Sequence, residues 1–250
     1  MNIQDKVALI VGGGQGLGEA TARYLAELGA KVIVVDKSAD NAQRVASVTK
    51  GEGIACDISS ESDVEKVFNR IASVPLSIVV NCAGIAPAKR MVGKEGPAPL
   101  SGFEEVIRIN LIGSYNIMRL SAAMMMKLNV PETQERGVII NTASVAAFDG
   151  QLGQTAYSAS KGGIVSLTLP AARELARYNI RVMTIAPGIM DTSMMQNMPE
   201  NVRTSLLNQT VYPKRFGQPQ EFAELVAHIV TNSMLNGTVI RLDGALRMSS

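Results

Sequence analysis

The sequence predicts an α/β fold, a doubly wound, seven-stranded parallel sheet in a single domain spanning residues 1–250. Three observations predict it. Short, continuously apolar runs rich in Val and Ile alternate with longer amphipathic stretches, the first run passes straight into a glycine-rich turn, and no compositional break divides the 250 residues. Continuous apolar strands separated by helical patterns point to a parallel sheet covered on both faces. Ligands of such sheets bind at the carboxyl ends of the strands.

The strand candidates, in order, are Val7–Val11, Lys31–Asp36, Gly53–Cys56, Ser77–Asn81, Gly137–Thr142, Arg181–Ala186 and Val239–Leu242. Helical spacing predicts helices over about 17–29, 40–49, 61–73, 103–129, 155–178 and 220–233. Two irregular segments follow strand ends and are expected above the binding crevice. One is Ala86–Gly102, rich in Gly and Pro, and the other is Gly188–Pro213, which carries Met190, Met194, Met195 and Met198.

Composition excludes several classes. The net charge is +2 with the basic residues dispersed, unlike the clustered Lys and Arg of a nucleic-acid surface. No run approaches the length of a membrane span. Cys56 and Cys82 are too few for a disulfide framework and have no metal-ligand neighbours, so no metal is expected. No charged segment precedes an apolar run near Met1. A cytoplasmic protein is the expectation.

The first strand runs into Gly12-x-x-x-Gly16-x-Gly18, with Gln15 and Leu17 between the glycines and a helix starting near Leu17. Between a strand and a helix, such a turn lets the backbone approach a pyrophosphate whose charge meets the helix N-terminus. This is a Rossmann-like dinucleotide signature. Asp36 ends the second strand, 18 residues after Gly18, where an acid accepts from both adenosine-ribose hydroxyls and repels a 2′-phosphate. Gly13, Gly14 and Gln15 offer that phosphate no cation, so NAD is favoured over NADP, with Lys37 the one residue that softens the exclusion. Asp57, with Ile58 beside it, either caps the adenine amine or only turns the chain into a helix. Asn81-Cys82-Ala83-Gly84 ends the fourth strand with small residues over which a nucleotide can lie. No flanking cation makes Cys82 a nucleophile.

Tyr157 and Lys161 are four residues apart and share a helix face. Ser144 lies just past the fifth strand and Asn110 inside the preceding long helix. Oxidising an alcohol requires a base to take the hydroxyl proton as hydride leaves. A free tyrosine titrates near 10, so action near neutrality needs about 3–4 kcal/mol of preferential phenolate stabilisation. One ammonium at ~4 Å supplies about 4 kcal/mol at an effective dielectric near 20, so Lys161 is sufficient in magnitude, with help from the positive nicotinamide ring. Ser144 can hydrogen-bond the substrate oxygen, and Asn110 can hold a water that links Lys161 to solvent.

Along its whole length the chain resembles the short-chain dehydrogenase/reductase family. The motifs that carry the likeness are Gly12…Gly16-Leu17-Gly18, Asn81-Cys82-Ala83-Gly84, Asn110-Leu111-Ile112-Gly113, Ser144, Tyr157…Lys161 and Pro187-Gly188…Thr192. It departs at Val11, where the family usually has threonine. The resemblance implies strand order 3-2-1-4-5-6-7, a catalytic tetrad of Asn110, Ser144, Tyr157 and Lys161, nicotinamide contacts from Ile189 and Thr192, and cofactor contacts from Pro187 and Gly188 beside them. Arg136–Phe148, Ala156–Val165, Arg181–Gly188 and Val239–Ala245 are most similar to the type 2 3-hydroxyacyl-CoA dehydrogenase branch, also called type 10 17β-hydroxysteroid dehydrogenase. That branch implies NAD, a homotetramer, fatty acid metabolism, and short or methyl-branched 3-hydroxyacyl-CoA substrates, with some members taking steroids. The substrate contacts it suggests are Ser144, Gln154, Tyr157, Met190 and Met194.

The methionines of the second loop either line a permissive acyl pocket or only pack the loop down. Lys89, Arg90, Lys94, Lys214 and Arg215 either meet CoA phosphates or are solvated. His228, the only histidine, falls mid-helix and is not a catalytic candidate. Two rival readings remain. One is a 3-oxoacyl-ACP reductase, which shares the fold and tetrad but prefers NADPH. The other is a non-catalytic nucleotide sensor, in which tyrosine or lysine is usually lost.

Overall fold

A computed structural model describes residues 1–196 and 200–249, leaving out the side chains of Ser193 and Met194. Its main sheet comprises β1 (Val7–Val11), β2 (Lys31–Asp36), β3 (Glu52–Ala55), β4 (Leu76–Asn81), β5 (Gly137–Thr142), β6 (Ile180–Pro187) and β7 (Val239–Leu242). All pairings are parallel and the order is β3-β2-β1-β4-β5-β6-β7, as the family resemblance implied. Strand direction of travel reverses between β1 and β4, which opens a crevice at the carboxyl edge. Val11 pairs there with Val35 on one side and Asn81 on the other, and Asn81 with Asn141.

The alternation of strand side chains explains the continuous apolar runs. Ala8 and Ile10 of β1 enter one core layer with Val34, Leu25 and Phe222, whereas Leu9 and Val11 enter the opposite layer with Val79, Ile139 and Ile117. The first layer is covered by α1 (Gly16–Glu27), α2 (Ala39–Thr49) and α9 (Pro219–Thr231), and the second by α3 (Glu61–Arg70), α5 (Ser114–Met126) and α6 (Thr155–Ala176). Ser38 and Ser60 cap α2 and α3 by accepting from the backbone N–H groups of Asn41 and Asp63.

Two expectations need correction. The single helix over 103–129 is α4 (Leu100–Ile107), a π-helical turn at Arg108–Gly113, and α5. Close packing explains the interruption. A Cβ on Gly113 would lie 2.9 Å from Ile58, and one on Gly163 would lie 2.7 Å from Leu111, so the turn is pressed between two elements. The segment Gly188–Pro213, read as irregular, holds α7 (Ser193–Gln196) and α8 (Glu200–Asn208). Met198 lies outside the described residues. Within Ala86–Gly102, Val92–Gly93 pairs with Gly96–Pro97 in a small exposed ribbon. Among the described residues, no helix is long and apolar enough to cross a membrane, and no group of His, Cys, Asp and Glu is placed to hold a metal.

Candidate active site

A cleft of about 500 Å³ opens at the carboxyl edge of the sheet, over the β1/β4 reversal. The glycine turn forms its floor. Gly12 has φ +70°, and a Cβ on it would stand 2.6 Å from the backbone nitrogen of Ala83. A Cβ on Gly18 would stand 2.1 Å from the Gly12 carbonyl oxygen. No side chain can come between the turn, the start of α1 and the end of β4, which leaves bare backbone facing the cleft. The N–H groups of Gly12 and Gly13 both donate to the Val35 carbonyl, at 2.8 and 3.0 Å. The turn therefore holds without the hydroxyl that Val11 lacks. Gln15 precedes α1 in extended conformation and makes no side-chain cap. The positive end of a 12-residue helix thus faces the glycine turn.

Asp36 sits beside this turn. Its carboxylate accepts from the Gly14 N–H at 2.9 Å and the Ser38 N–H at 3.0 Å, which fixes its orientation. Lys37 pairs with Asp57 at 3.0 Å, so its charge is partnered. Asp57 also accepts from the hydroxyl and N–H of Ser59, at 2.7 and 2.9 Å. Chiefly through the Ser59 hydroxyl, with Lys37 helping, its carboxyl is held down at about 2. Asp57 thus makes the turn into α3 and lines the cleft at once. The sequence reading missed Arg44, which donates to the Gly14 carbonyl at 2.8 Å and forms an ion pair with Glu19 at 2.7 Å. Only the folding of α2 onto the turn brings it there.

Ser144, Tyr157 and Lys161 line the opposite part of the cleft. The Tyr157–Lys161 spacing on α6 puts the ammonium 5.8 Å from the centre of the phenol ring. Lys161 is buried, 4% exposed, and donates to the Thr142 carbonyl at 2.7 Å. Burial lowers its ammonium to about 8, only slightly opposed by Cys82. Burial also pushes the Tyr157 phenol above its ordinary value, and the neighbouring Ser144 hydroxyl draws it part of the way back. In the protein alone burial therefore outweighs what lowers the phenol, whereas the expected lowering counts on the positive nicotinamide ring as well as on Lys161. Lys161 acts on the phenol only while it holds its own proton, and burial makes that proton easier to lose. Burial pushes the Cys82 thiol up to about 11, against a weak contact from the Thr142 hydroxyl, so Cys82 is no nucleophile.

Asn110 is fully buried in the π-helical turn and does not line the cleft. Its amide exchanges two 2.8 Å hydrogen bonds with the backbone of Ile85 and donates to the Ser160 hydroxyl at 3.1 Å, while Ser160 donates to the Tyr157 carbonyl at 2.7 Å. It ties the β4 exit to α6 directly behind the reactive pair. A Cβ on Gly84 would lie 3.1 Å from Asn110 Oδ1 and 3.5 Å from Lys161 Nζ, so only glycine leaves both groups uncrowded. Asn81 is also buried behind the wall, where it accepts from the Ala83 N–H at 3.3 Å.

The other expected residues line the cleft: Gly12, Gln15, Gly16, Leu17, Gly18, Asp36, Asp57, Ile58, Cys82, Ala83, Gly84, Gln154, Pro187, Gly188, Ile189, Met190 and Thr192. The side chain of Met194 lies outside what the structure describes. Met195, one of the loop methionines weighed for an acyl pocket, is also in the lining, and Glu105 and Met248 join it without having been expected. Met248 is brought in by Arg241, which pairs with Asp149 and Asp243 and donates to the Leu246 carbonyl at 3.0 Å, folding the last residues back over the cleft. His228 is exposed on α9.

Comparison with known proteins agrees with this geometry. The family model described as short chain dehydrogenase matches residues 6–203. The chain is 47% identical to a Bos taurus protein named 3-hydroxyacyl-CoA dehydrogenase type-2, covering 99% of this chain and 97% of that one. It is 46% identical to the Drosophila melanogaster protein of the same name, covering 98% and 99%. A crystal structure of 3-hydroxyacyl-CoA dehydrogenase type-2 from Mycobacterium avium superposes with a TM-score of 0.92 at 38% identity, covering 99% of this chain and 98% of that one.

Proposed function

The chain belongs to the short-chain dehydrogenase family, and from that premise we propose that it interconverts (S)-3-hydroxyacyl-CoA and 3-oxoacyl-CoA of short or branched chain with NAD. The observation that carries the proposal is the convergence of Ser144, Tyr157 and Lys161 on the cleft that also holds the glycine turn and Asp36. The names of the relatives, at 46–47% identity over nearly the full length, support the acyl-CoA substrate.

The cleft fits a nicotinamide dinucleotide because its floor is backbone that a Cβ would fill. Gly12 to Gly18 and the α1 N-terminus would hold the pyrophosphate, and Asp36 the adenosine ribose. Asp57 and Ile58 would hold the adenine, with Cys82, Ala83 and Gly84 beneath the nucleotide and Pro187, Gly188, Ile189 and Thr192 at the nicotinamide. The carboxylate of Asp36, with Lys37 and Arg44 both paired to acids, favours NAD over NADP. Bound NAD supplies the hydride acceptor in one direction and the donor in the other.

In reduction, the Tyr157 phenol donates its proton to the carbonyl oxygen of the substrate as that oxygen gains charge. In oxidation, the phenolate takes the hydroxyl proton. Ser144 donates to the same oxygen and fixes its angle. Lys161 offsets the charge on the phenolate oxygen, and Asn110 positions α6 through Ile85 and Ser160. Gln154, Met190 and Met194 are assigned to the acyl portion. The same reading makes the protein a homotetramer that serves fatty acid metabolism in the cytoplasm, where free thiols such as Cys56 and Cys82 persist.

The test is a panel of substrates. Acetoacetyl-CoA with NADH is expected to turn over at least ~10-fold faster than with NADPH, since a misplaced charge costs more than about 1.4 kcal/mol, and much faster than sugars or aliphatic ketones. No turnover of any 3-oxoacyl thioester alongside brisk steroid or sugar turnover overturns the proposal. Preference for an ACP thioester with NADPH identifies the rival reductase.

A further inference from the structure

Behind the substrate end of the cleft lies a second cavity of about 210 Å³, lined on one side by Ile189, Pro213, Leu242 and Leu246 and on the other by the paired Arg215 and Glu221 and by Asp243. Ile189 and Met190 line both spaces. Met190 is only 7% exposed, and its thioether lies over Gly217, another lining residue of the second cavity. A Cβ on Gly217 would stand 2.3 Å from the Met190 sulfur. The backbone on both sides is fixed, because Gly217 N–H donates to the Ile189 carbonyl at 2.9 Å and Asp191 N–H donates to the Gly217 carbonyl at 2.7 Å. The partition between the two spaces is therefore Ile189 and Met190 on a rigid backbone, and its yielding part is the unbranched Met190 side chain, packed where a glycine leaves room for it.

Resting on the acyl-CoA reading above, we propose that Met190 is the specificity-determining residue for acyl length, a wall that closes the substrate cleft off from the cavity behind it. The space is large enough to matter. A protein cavity of ~150 Å³ lined by apolar side chains takes up benzene, and the cavity behind Met190 is larger, with Ile189, Pro213, Leu242 and Leu246 as the side against which a chain would lie. Shortening the wall lets an acyl chain run on into it. Each methylene buried there multiplies kcat/KM by about fourfold, so a few additional carbons exceed a tenfold change. A methionine, flexible at three bonds, also yields to a methyl branch where a rigid residue would not.

The experiment measures kcat/KM for 3-oxooctanoyl-CoA and acetoacetyl-CoA with NADH, and in parallel for 2-octanone and 2-butanone. Wild type, Met190→Ala, Met190→Val and Met190→Leu are compared, with melting temperature and NADH affinity as checks on folding. The long-to-short ratio is expected to rise at least ~10-fold in Met190→Ala, to rise less in Met190→Val, and to stay near wild type in Met190→Leu, which keeps the wall. Should Met190→Ala fail to fold, Met190→Val decides. A ratio unchanged in the folded truncations overturns the proposal. A wild type that reduces neither thioester overturns the acyl-CoA reading instead, and the ketone pair then decides the role of Met190.

Discussion

Tyr157 and Lys161 show what one turn of helix can do, and what burial does to it. Their spacing and their position after Ser144 were legible because helical geometry makes four residues apart the same as adjacent. Their titration was not legible, since it depends on how deeply α6 sinks against β5 and β6. Lys161 carries a folded pKa of about 8, below its ordinary value near 10.4. Below pH 8 both the folded and unfolded chains hold the ammonium and the folded state bears the whole desolvation cost. As pH rises from about 8 to 10.4 the folded chain has shed the proton and that cost is relieved. Lys161→Met is thus expected to stabilise the protein at pH 7 by about 2 kcal/mol, the desolvation gain less the lost bond to the Thr142 carbonyl. Its melting temperature should exceed that of wild type by several degrees, with the gap closing toward pH 10. A gap that widens with pH contradicts the assignment. Asp36 was legible from the end of an apolar strand, whereas Arg44 reaches the glycine turn only through the packing of α2.

At the scale of elements, the strands were the clearest, since a sheet buried on both faces needs unbroken apolar runs and admits little else. The helices that pack against it were found to within a few residues. The π-helical turn around Asn110 was invisible because its cause is distant in sequence, at Ile58 and α6. α7 and α8 were missed because they are short, four and nine residues, and no residue of α8 is buried. The start of α9 is better marked. Pro219 stands in its first turn, and Glu221 reaches back to the Gln218 N–H at 2.7 Å and pairs with Arg215 at 2.8 Å. The Arg215 guanidinium first, and then that N–H, hold the Glu221 carboxyl at about 2. A depressed carboxyl stabilises the fold above its unfolded value near 4.3, and that stability is lost as pH falls through the folded value. The pair is partly exposed, so solvent screening reduces its worth. Glu221→Gln is expected to cost about 1 kcal/mol at pH 7. Thermal unfolding should show the difference shrinking between about pH 4.3 and 2, and a difference independent of pH rules the ion pair out as its source.

At the scale of the whole molecule, the site is a consequence of topology. The reversal between β1 and β4 places the glycine turn, the β4 end and the β5 end around one crevice. α6 then delivers the phenol and ammonium over it, from residues 145 positions away from Gly12 in Tyr157 and 149 in Lys161. The contribution of the C-terminal segment could not be read from sequence, because Met248 belongs to no periodic element and is held at the cleft by contacts distant in sequence, the ion pairs of Arg241 and the bonds of Ser249 with Gln151 and Gln209. The proposed homotetramer is tested on the whole molecule, where light scattering is expected to give a single species of four chain masses. A monomer at micromolar concentration contradicts it.

The proposed role of the Tyr157 phenol is to move the proton on the substrate oxygen. Its most direct measurement is kcat for acetoacetyl-CoA reduction by Tyr157→Phe, with NADH affinity and melting temperature measured on the same preparation. A loss of at least ~10³-fold with cofactor binding intact is the predicted result, in the range that a positioned acid contributes. An undiminished kcat in a folded, NADH-binding variant contradicts the account.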